Sequence, residues 1–258
     1  MTRRELTCPE TGPIVLDARS LAACIRVSVA DTDHAHVTIS TPDTAGASHD
    51  AVTTARLEHT AGRLTVRLDD QGAAISRVTI VRSGNRVSMT TLTADRDLCI
   101  VGGRVIIDGV EITPGTATVV GTSPVTIDAV LPPGSLVHLT TQSGDITLHG
   151  AYPEVRAQSV SGDITAERAD HASVQTTSGD IRITTAGHAV TNTVSGDTDI
   201  DRTDTLTANS VSGDIHVREA ADLVSAATAS GDITVHHTGP VPITRTVTGR
   251  VRTTANTR

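Results

Sequence analysis

The sequence predicts an all-β fold in the form of a β-solenoid, and three observations carry this prediction. Alternating apolar and polar residues flank a repeated tripeptide, which is typical of strands with one buried face. The chain has no Phe or Trp, and Tyr152 is its one aromatic residue, so small and β-branched side chains must fill the core. The tripeptide Ser-Gly-Asp returns at steps of 18, 17, 17, 17 and 18 residues, beginning at Ser143, Ser161, Ser178, Ser195, Ser212 and Ser230.

Equivalent positions of successive repeats hold residues of similar size. The position six residues before a Ser holds, from the second repeat onward, Val155, Ala172, Ala189, Leu206 and Val224. An up-and-down meander of hairpins could also have this period, but it would not stack like on like. In a β-solenoid, identical positions lie about 4.8 Å apart on parallel neighbours. We therefore predict a solenoid with coils of 17–18 residues, in which neighbouring coils stabilise each other because a single coil cannot offset its ordering entropy.

The tripeptide itself is predicted to form the corner between coils. Asp and Ser can bond backbone N–H groups that a corner leaves unpaired. Glycine can adopt the positive φ that a tight corner demands. We assign this structural role to Gly144, Gly162, Gly179, Gly196, Gly213 and Gly231.

The spacing divides the chain into three regions. Residues 1–10 are predicted to be an N-terminal tail. Residues 11–142 are strand-rich between turn residues but irregularly spaced, which indicates either irregular early coils or a small β-domain capping the rod. Residues 143–258 are the regular solenoid of six Ser-Gly-Asp repeats, and a degenerate seventh copy, Thr-Gly-Arg-Val, begins at Thr248.

The repeated Ser-Gly-Asp-Ile, together with the segment VTIDAVLPPGSLVHLTTQSGDITL, resembles the bacterial putative-adhesin β-strand-repeat family, a domain of unknown function. The opening TGPIVLDARS is similar to members that lack a signal peptide. The resemblance covers nearly the whole chain. It implies a right-handed β-helix, a link to cell-envelope stress responses and no catalytic residue. Residues 83–121 depart from the pattern, because this segment is longer than the usual connection between early strands.

Charge and composition narrow the set of partners. All 21 basic residues are Arg, and 29 acidic residues bring the net charge to −8. An acidic chain without aromatic platforms lacks the features of a nucleic-acid-binding protein. No stretch approaches the run of about 18 apolar residues typical of a membrane span, and the N-terminus has no signal-peptide core. We expect a cytoplasmic protein with no nucleic-acid partner and no membrane insertion.

The cysteines Cys8, Cys24 and Cys99 are far apart and form no Cys-x-x-Cys pair. This pattern predicts neither a disulfide framework nor a zinc site. We interpret them as partly buried thiols in a reducing compartment. The tetrapeptide LAAC, which ends at Cys24, matches the sequence of a lipoprotein cleavage site. Lipidation requires an uninterrupted apolar stretch before this site, and Asp17 and Arg19 interrupt it here.

A column of corner carboxylates is the strongest candidate for chemistry. Stacked at coil spacing, neighbouring charges would repel by about 1–3 kcal/mol. Such a column could bind a cation or cleave sugars, but we favour a structural role in which each Asp accepts N–H bonds at its own corner. Arg250 takes the Asp position in the seventh copy and would relieve the repulsion there. The column comprises Asp145, Asp163, Asp180, Asp197, Asp214 and Asp232.

His171 and His188 share another column and are expected to lie about 5 Å apart on adjacent coils. Glu154, Thr205 and Leu223 hold that position in other repeats, so a third ligand for a metal is not provided there. We favour two hydrated histidines. We assign no catalytic residue and no cofactor, since the chain carries no phosphate-binding loop and no nucleophile elbow.

Three functions stay open, in descending order of support. The first is a non-enzymatic scaffold or adhesin-like protein-interaction rod whose partner the sequence does not identify. The second is an end-to-end polymerising element similar to bactofilins, because a C-terminal coil would offer unpaired backbone groups for self-association. The third is a cation-dependent carbohydrate-active enzyme, against which the lack of aromatic platforms for sugar rings counts.

Overall fold

The computed structural model describes residues 1–68 and 123–256, and between residues 77 and 112 it describes the backbone of five strands. Seventeen of the described strands join in one continuous hydrogen-bonded sheet. Successive repeats pair in parallel and in register, with Ile164 opposite Ile181 and Ala172 opposite Ala189. The predicted β-solenoid is confirmed, because hairpin pairing between repeats would be antiparallel.

The secondary-structure elements follow in chain order. The N-terminal region contains β1 (Thr2–Thr11), β2 (Val15–Ser20), β3 (Cys24–Val29), β4 (His34–Thr41), α1 (Ala47–Thr54), β5 (Arg56–Thr60) and β6 (Arg63–Leu68). A separate segment contains β7 (Arg77–Ser83), β8 (Arg86–Leu92), β9 (Leu98–Val101), β10 (Arg104–Ile107) and β11 (Val110–Ile112). The chain continues with β12 (Thr126–Leu131), β13 (Leu136–Thr140), β14 (Ile146–Gln158), β15 (Ile164–Gln175), β16 (Ile181–Asn192), β17 (Thr198–Ser210), β18 (Ile215–Ala220), β19 (Val224–Thr228), β20 (Ile233–His237), β21 (Ile243–Thr246) and β22 (Val251–Ala255).

Each regular repeat forms one coil with two main arms. The ladder between β14 and β15 covers residues 146–148, shifts register, and resumes at residue 151 to run to residue 158. The first arm follows a Ser-Gly-Asp corner, and the second arm leads to the next corner. Side chains alternate between core and solvent along both arms. The isoleucine column of the first arm is at most 1% exposed at Ile146, Ile164, Ile181, Ile215 and Ile233.

The early coils are irregular because the chain leaves the stack and re-enters it. Strand β3 lies between β12 and β14, and β2 lies between β6 and β13, all as parallel neighbours. Spatial neighbours in this region are therefore not consecutive in sequence, which is why no single period fits them. The described parts of residues 11–142 that form these strands belong to the same sheet as the repeats.

The lipoprotein-like tetrapeptide is a corner of the solenoid. It connects β2 to β3, and Ala23 takes the place that glycine holds in later corners. The N–H of Ala23 donates to Oγ of Ser20 at 2.8 Å, and Ala23 is fully buried. The Leu21–Cys24 segment thus has a structural role inside the first coil.

Antiparallel strands and a helix close the N-terminal end of the solenoid. Strand β1 pairs with β4, and β4 pairs with β12, while α1 packs against β1, β4 and β6. The predicted tail over residues 1–10 is wrong, because the backbone of Thr2–Thr11 pairs with the edge of β4. Because polar residues dominate this strand, its sequence shows no apolar alternation from which a strand could be predicted. In the described part of the chain, no helix has the length and hydrophobicity needed to cross a bilayer.

The segment between β6 and β12 contributes two small sheets of its own. Strands β7 and β8 form an antiparallel pair, and β9, β10 and β11 form a three-stranded antiparallel sheet. The other residues between 69 and 122 lie outside the described residues. This leaves untested the prediction about the length of the 83–121 segment and the prediction about the Cys99 thiol.

Thr191 offers a test of core packing. Its side chain is fully buried, and its hydroxyl has no hydrogen-bond partner among the described residues. Val has the same shape without the polar group, and Val174 already occupies the equivalent position one coil earlier. We expect Thr191→Val to raise the free energy of unfolding by about 1 kcal/mol, because an unsatisfied buried polar group is removed. Urea denaturation measures the change.

Thr203→Val is the matched control for that substitution. Thr203 is equally buried, but its hydroxyl donates to the carbonyl of Thr205 at 2.9 Å. Removing this hydroxyl loses a bond, so we expect no gain in stability. An equal increase in both variants would contradict the assignment of an unsatisfied hydroxyl at Thr191.

Candidate interaction surface at the repeated corner

The six corner aspartates lie in one file along the solenoid, and all are exposed. Arg250 ends the file by donating its backbone N–H to Asp232 at 2.8 Å. We expected each Asp to accept bonds at its own corner, but the donor is the equivalent residue of the following coil. The Oδ1 atom of each Asp accepts this N–H at 3.0, 2.9, 2.9, 2.8 and 2.7 Å from the donors Asp163, Asp180, Asp197, Asp214 and Asp232.

These bonds explain how stacked carboxylates can be tolerated. An N–H dipole points at one oxygen of each carboxylate, and a hydrogen bond to a charged acceptor contributes about 1.5–3 kcal/mol. That gain is of the same size as the repulsion expected between neighbours. Calcium takes about 6–8 oxygen ligands, so a file that commits one oxygen per carboxylate to the backbone favours the structural role.

A second column of buried hydroxyls satisfies the corner locally. The N–H of Gly162 donates to Oγ of Ser159 at 2.8 Å, and the N–H of Gly179 donates to Oγ1 of Thr176 at 3.1 Å. Thr193 and Ser210 accept in the same way in the next two corners. We expected the Ser and Asp of the tripeptide to accept such bonds. The Asp accepts its N–H from the following coil, whereas the acceptor within the same corner is the residue two positions before the tripeptide.

Glycine is required at the corner for a reason that differs from the one expected. None of the six corner glycines has positive φ, so the predicted left-handed conformation is wrong. The coils approach so closely that a Cβ on Gly196 would lie 1.9 Å from the carbonyl oxygen of Gly179. At every Ser-Gly-Asp corner, an added Cβ would lie 1.9–2.2 Å from a backbone carbonyl oxygen of the neighbouring coil. A side chain at this position is therefore excluded by the short distance between neighbouring coils, and not by the backbone φ angle of the glycine.

An acidic groove runs beside the file of aspartates on the first-arm side. Its volume is about 390 Å³, and Arg182 and His216 are the basic residues that line it. Asp199 is one of its lining residues, and Oδ2 of Asp199 pairs with Arg182 at 3.3 Å and with Arg218 at 3.6 Å. Carboxylates outnumber cations on this wall, since the groove is lined by Asp163, Asp180, Asp197, Asp199 and Asp214.

Exposed valines line the other side of the same corners. Val160, Val194 and Val211 are 47%, 44% and 50% exposed. A second groove of about 300 Å³ lies against the first two, among Thr, Gln and Asn side chains. We call the file of six aspartates together with these three valines the corner ridge. Its aspartates continue over six coils, and its valines lie at three of these corners, with Thr177 between Val160 and Val194.

The two histidines singled out from the sequence do lie together. The rings of His171 and His188 are stacked, with centroids 4.9 Å apart and an interplanar angle of 14°. The ring of His188 also makes a hydrogen bond with the hydroxyl of Thr205. Both side chains are exposed, and among the described residues no third metal-ligating side chain lies with them. That they are simply hydrated stays a prediction.

One group of potential metal-ligating side chains was not predicted from the sequence. Cys8, Glu10 and His59 converge at the N-terminal end of the solenoid, with one ligand atom of each within 4.8 Å of the others. The first two come from β1, which we had predicted to be a tail, and the third comes from β5. No local spacing signals this cluster, because the fold brings its members together.

Parallel coils, stacked columns and repeated corners define a β-solenoid repeat protein. The chain belongs to the Toastrack DUF4097 family, whose model matches residues 22–240. The family resemblance noted from the sequence is confirmed. A search of curated proteins found no match.

Two crystal structures share the fold over nearly the full length of the chain. A putative adhesin from Bacteroides fragilis is similar with a TM-score of 0.56 and 12% identity, covering 98% of this chain and 97% of that chain. A putative adhesin from Parabacteroides distasonis is similar with a TM-score of 0.52 and 10% identity, covering 98% of this chain and 96% of that one. At these identities the likeness concerns the fold.

Proposed function

We propose that this protein is a non-enzymatic β-solenoid scaffold that binds a partner protein along the corner ridge. The observation that carries the proposal is the unbroken file of six carboxylates, each fixed by the next coil, with exposed valines beside it. The structurally similar proteins are named putative adhesins, and a binding role agrees with that name. Within this proposal the scaffold acts in the cytoplasm, in the cell-envelope stress signalling that the family resemblance implies.

The chemistry of the ridge defines the partner. Carboxylates spaced by about 4.8 Å lie within one Debye length of each other, about 8 Å at physiological ionic strength, so they act on a ligand together. A surface of one sign attracts a partner of the opposite sign and accelerates its association. The valines add apolar contact. We therefore infer an extended segment in which Arg or Lys alternates with apolar residues.

The test neutralises the ridge without disturbing its backbone bonds. Asn keeps the Oδ1 acceptor and loses the charge, so the triple variant Asp163→Asn, Asp180→Asn, Asp197→Asn should fold normally. The probe is a synthetic peptide of alternating Arg and Val residues. Its binding affinity is measured by isothermal titration calorimetry at two salt concentrations. We expect the triple variant to bind it about tenfold more weakly or worse, since each lost charge contact removes a fraction of the Coulomb attraction.

A second triple variant removes the same charge from the opposite corner of the coil. Asp170, Asp204 and Asp222 share a column there: the N–H of Asp222 donates to the carbonyl of Asp204, and Asp170 precedes His171 of the stacked histidine column. Their substitution by Asn should leave peptide binding unchanged. Equal weakening in both triple variants would show that net charge alone drives binding and would overturn the ridge as the site.

Self-association through the C-terminal coil is a second candidate, and exposed apolar residues there favour it. Val241, Ile243 and Val247 are 76%, 65% and 73% exposed. Strands β21 and β22 pair on one side with β19 and β20, and their other edges can accept a strand. Helix α1 covers the opposite end of the core, so we infer a symmetric pair joined by two C-terminal coils rather than a filament.

Val251 is the residue with which to test this pairing. It continues the core column above Ile233 and is 44% exposed. If the coils pair, Val251→Asp should abolish the concentration-dependent rise in sedimentation coefficient. Val190→Asp is the control, because Val190 is 42% exposed on the flank of β16. A sedimentation coefficient that is constant with concentration in the unmodified protein would rule out self-association.

A further inference from the structure

The N-terminal cap contains a set of side chains that matches the ligands of a metal ion. Sγ of Cys8, a carboxylate oxygen of Glu10 and a ring nitrogen of His59 all lie within 4.8 Å of one another. Thiolate, imidazole and carboxylate are the three protein ligand types of zinc. We propose that Cys8, Glu10 and His59 form a Zn²⁺ site that fastens strand β1 to the β5–β6 hairpin. This site is independent of the corner ridge.

A bulge in β1 turns its ligands toward the cap. Thr7 pairs with His36 and Thr11 pairs with His34, so four steps along β1 face two steps along β4. Such bulges re-aim side chains next to functional sites. The ring of His34 holds the bulge, with Nδ1 lying 3.1 Å from the carbonyl oxygen of Cys8 and 3.2 Å from that of Glu10. Because carbonyls only accept, Nδ1 of His34 must donate.

A tight hairpin fixes His59 on the same side. Ala61 and Gly62 both have positive φ, 45° and 74°, which is the two-residue type I′ turn that suits the twist of a hairpin. The turn sets the register of β5 on β6 and places His59 directly opposite Leu64. Opposed residues share one face of the sheet, and Leu64 is fully buried. His59 therefore faces inward, toward β1.

The protein itself leaves the ligand atoms poorly satisfied. Nε2 of His59 is buried and has no hydrogen-bond partner among the described residues, although a carboxylate oxygen of Glu10 lies 3.4 Å away. Cys8 is fully buried. A buried nitrogen without a partner is costly, and a metal ion would satisfy it. The Glu10 side chain is 47% exposed, which gives an ion a path to the site.

The ligand set selects zinc over harder cations. A thiolate and an imidazole favour Zn²⁺ over Mg²⁺ or Ca²⁺, which take oxygen ligands. Tetrahedral zinc, with bonds of about 2.0–2.3 Å, holds its ligand atoms about 3.4–3.7 Å apart. The three ligand atoms, now within 4.8 Å of one another, would therefore move closer together when the ion binds. Three protein ligands leave a fourth position for water.

The test uses the full-length chain, first stripped with a chelator and then titrated with Zn²⁺ or Co²⁺ alone. We expect one equivalent of either metal to bind, and Co²⁺ to give a thiolate-to-metal charge-transfer band in the near ultraviolet. Cys8→Ser should abolish that band. His59→Gln should weaken zinc binding by more than about 100-fold, since loss of even an outer-shell partner costs about 10–100-fold. Zinc should also raise the Tm of the unmodified protein but not of either variant.

Cys24→Ser and His171→Gln are the matched controls. Cys24 is a half-buried thiol in the first corner, and His171 belongs to the stacked pair, so neither substitution should change zinc binding. If Cys8→Ser does not fold, as judged by circular dichroism, Glu10→Gln at the exposed ligand replaces it and should weaken binding at least about tenfold. The proposal is overturned if zinc binds unchanged in the ligand variants, if His171→Gln abolishes binding, or if no zinc binds.

Discussion

Gly196→Ala is expected to lower the free energy of unfolding by about 3 kcal/mol or more. The new Cβ would lie 1.9 Å from the carbonyl oxygen of Gly179 and 2.6 Å from its carbon. Both are backbone atoms held by the parallel ladder, so the clash cannot be relieved by rotating a side chain. Overpacking of a rigid site typically costs about 1–3 kcal/mol, and here the two coils must separate. Chemical denaturation at constant temperature measures the loss.

The neighbouring substitution Ser195→Ala controls for the corner as a whole. Ser195 is exposed, and its backbone N–H bond to the carbonyl of Thr177 does not depend on the side chain. We expect a change within about 0.5 kcal/mol, as at ordinary surface positions. A mild effect of Gly196→Ala, comparable to that of Ser195→Ala, would show that the coils are further apart than the structure has them.

Tyr152→Ala should be about as damaging, with an expected loss of about 3–5 kcal/mol, the range for removing a buried aromatic side chain. Tyr152 is 1% exposed. Later coils hold Ala169 and Ala186 at the same position, so the large ring fills a wider space in the first regular coil. Its hydroxyl lies 3.0 Å from the carbonyl oxygens of both Val27 and His149. Substitution by Ala would leave a cavity and remove the hydroxyl that donates to these carbonyls.

Tyr152→Phe separates the hydroxyl from the ring, with an expected loss of about 1 kcal/mol at neutral pH. It also predicts a pH dependence. Burial raises the pKa of Tyr152 above its ordinary value of 10.0. The neutral side chain therefore stabilises the fold fully below pH 10.0, and this contribution is lost as pH rises from there toward the folded-state pKa. In Tyr152→Phe that alkaline loss should disappear. The same alkaline loss in Tyr152→Phe would contradict the assignment.

The regular half of the fold could be predicted because its signal is repeated. Positions such as Ala172 and Ala189 gave matching columns, and columns specify parallel stacking in register. The corner could be located in the same way, but the reason for its glycines could not. A carbonyl of the coil below, such as that of Gly179 under Gly196, is visible only when two coils are placed together.

The N-terminal half resisted prediction for two physical reasons. Strands β2 and β3 have neighbours from distant parts of the chain, so no period describes them. Strand β1 is an edge strand whose outer face is charged, and its alternation is too polar to signal a buried face. The cluster of Cys8, Glu10 and His59 depends on both features, because a bulged edge strand and a separate hairpin supply its ligands.

The one-way hydrogen bonding of the corner file has a consequence for how such proteins change size. Each regular coil donates a backbone N–H to the coil before it and accepts one with its Asp carboxylate from the coil after it. An inserted copy of one repeat could therefore form the same hydrogen bonds with both of its neighbours. Gene duplication can therefore lengthen the rod in steps of about 4.8 Å. In the role we propose, each step would add one further carboxylate to the partner-binding surface. The number of repeats would then set both the length of the rod and, in the proposed role, its avidity for a partner.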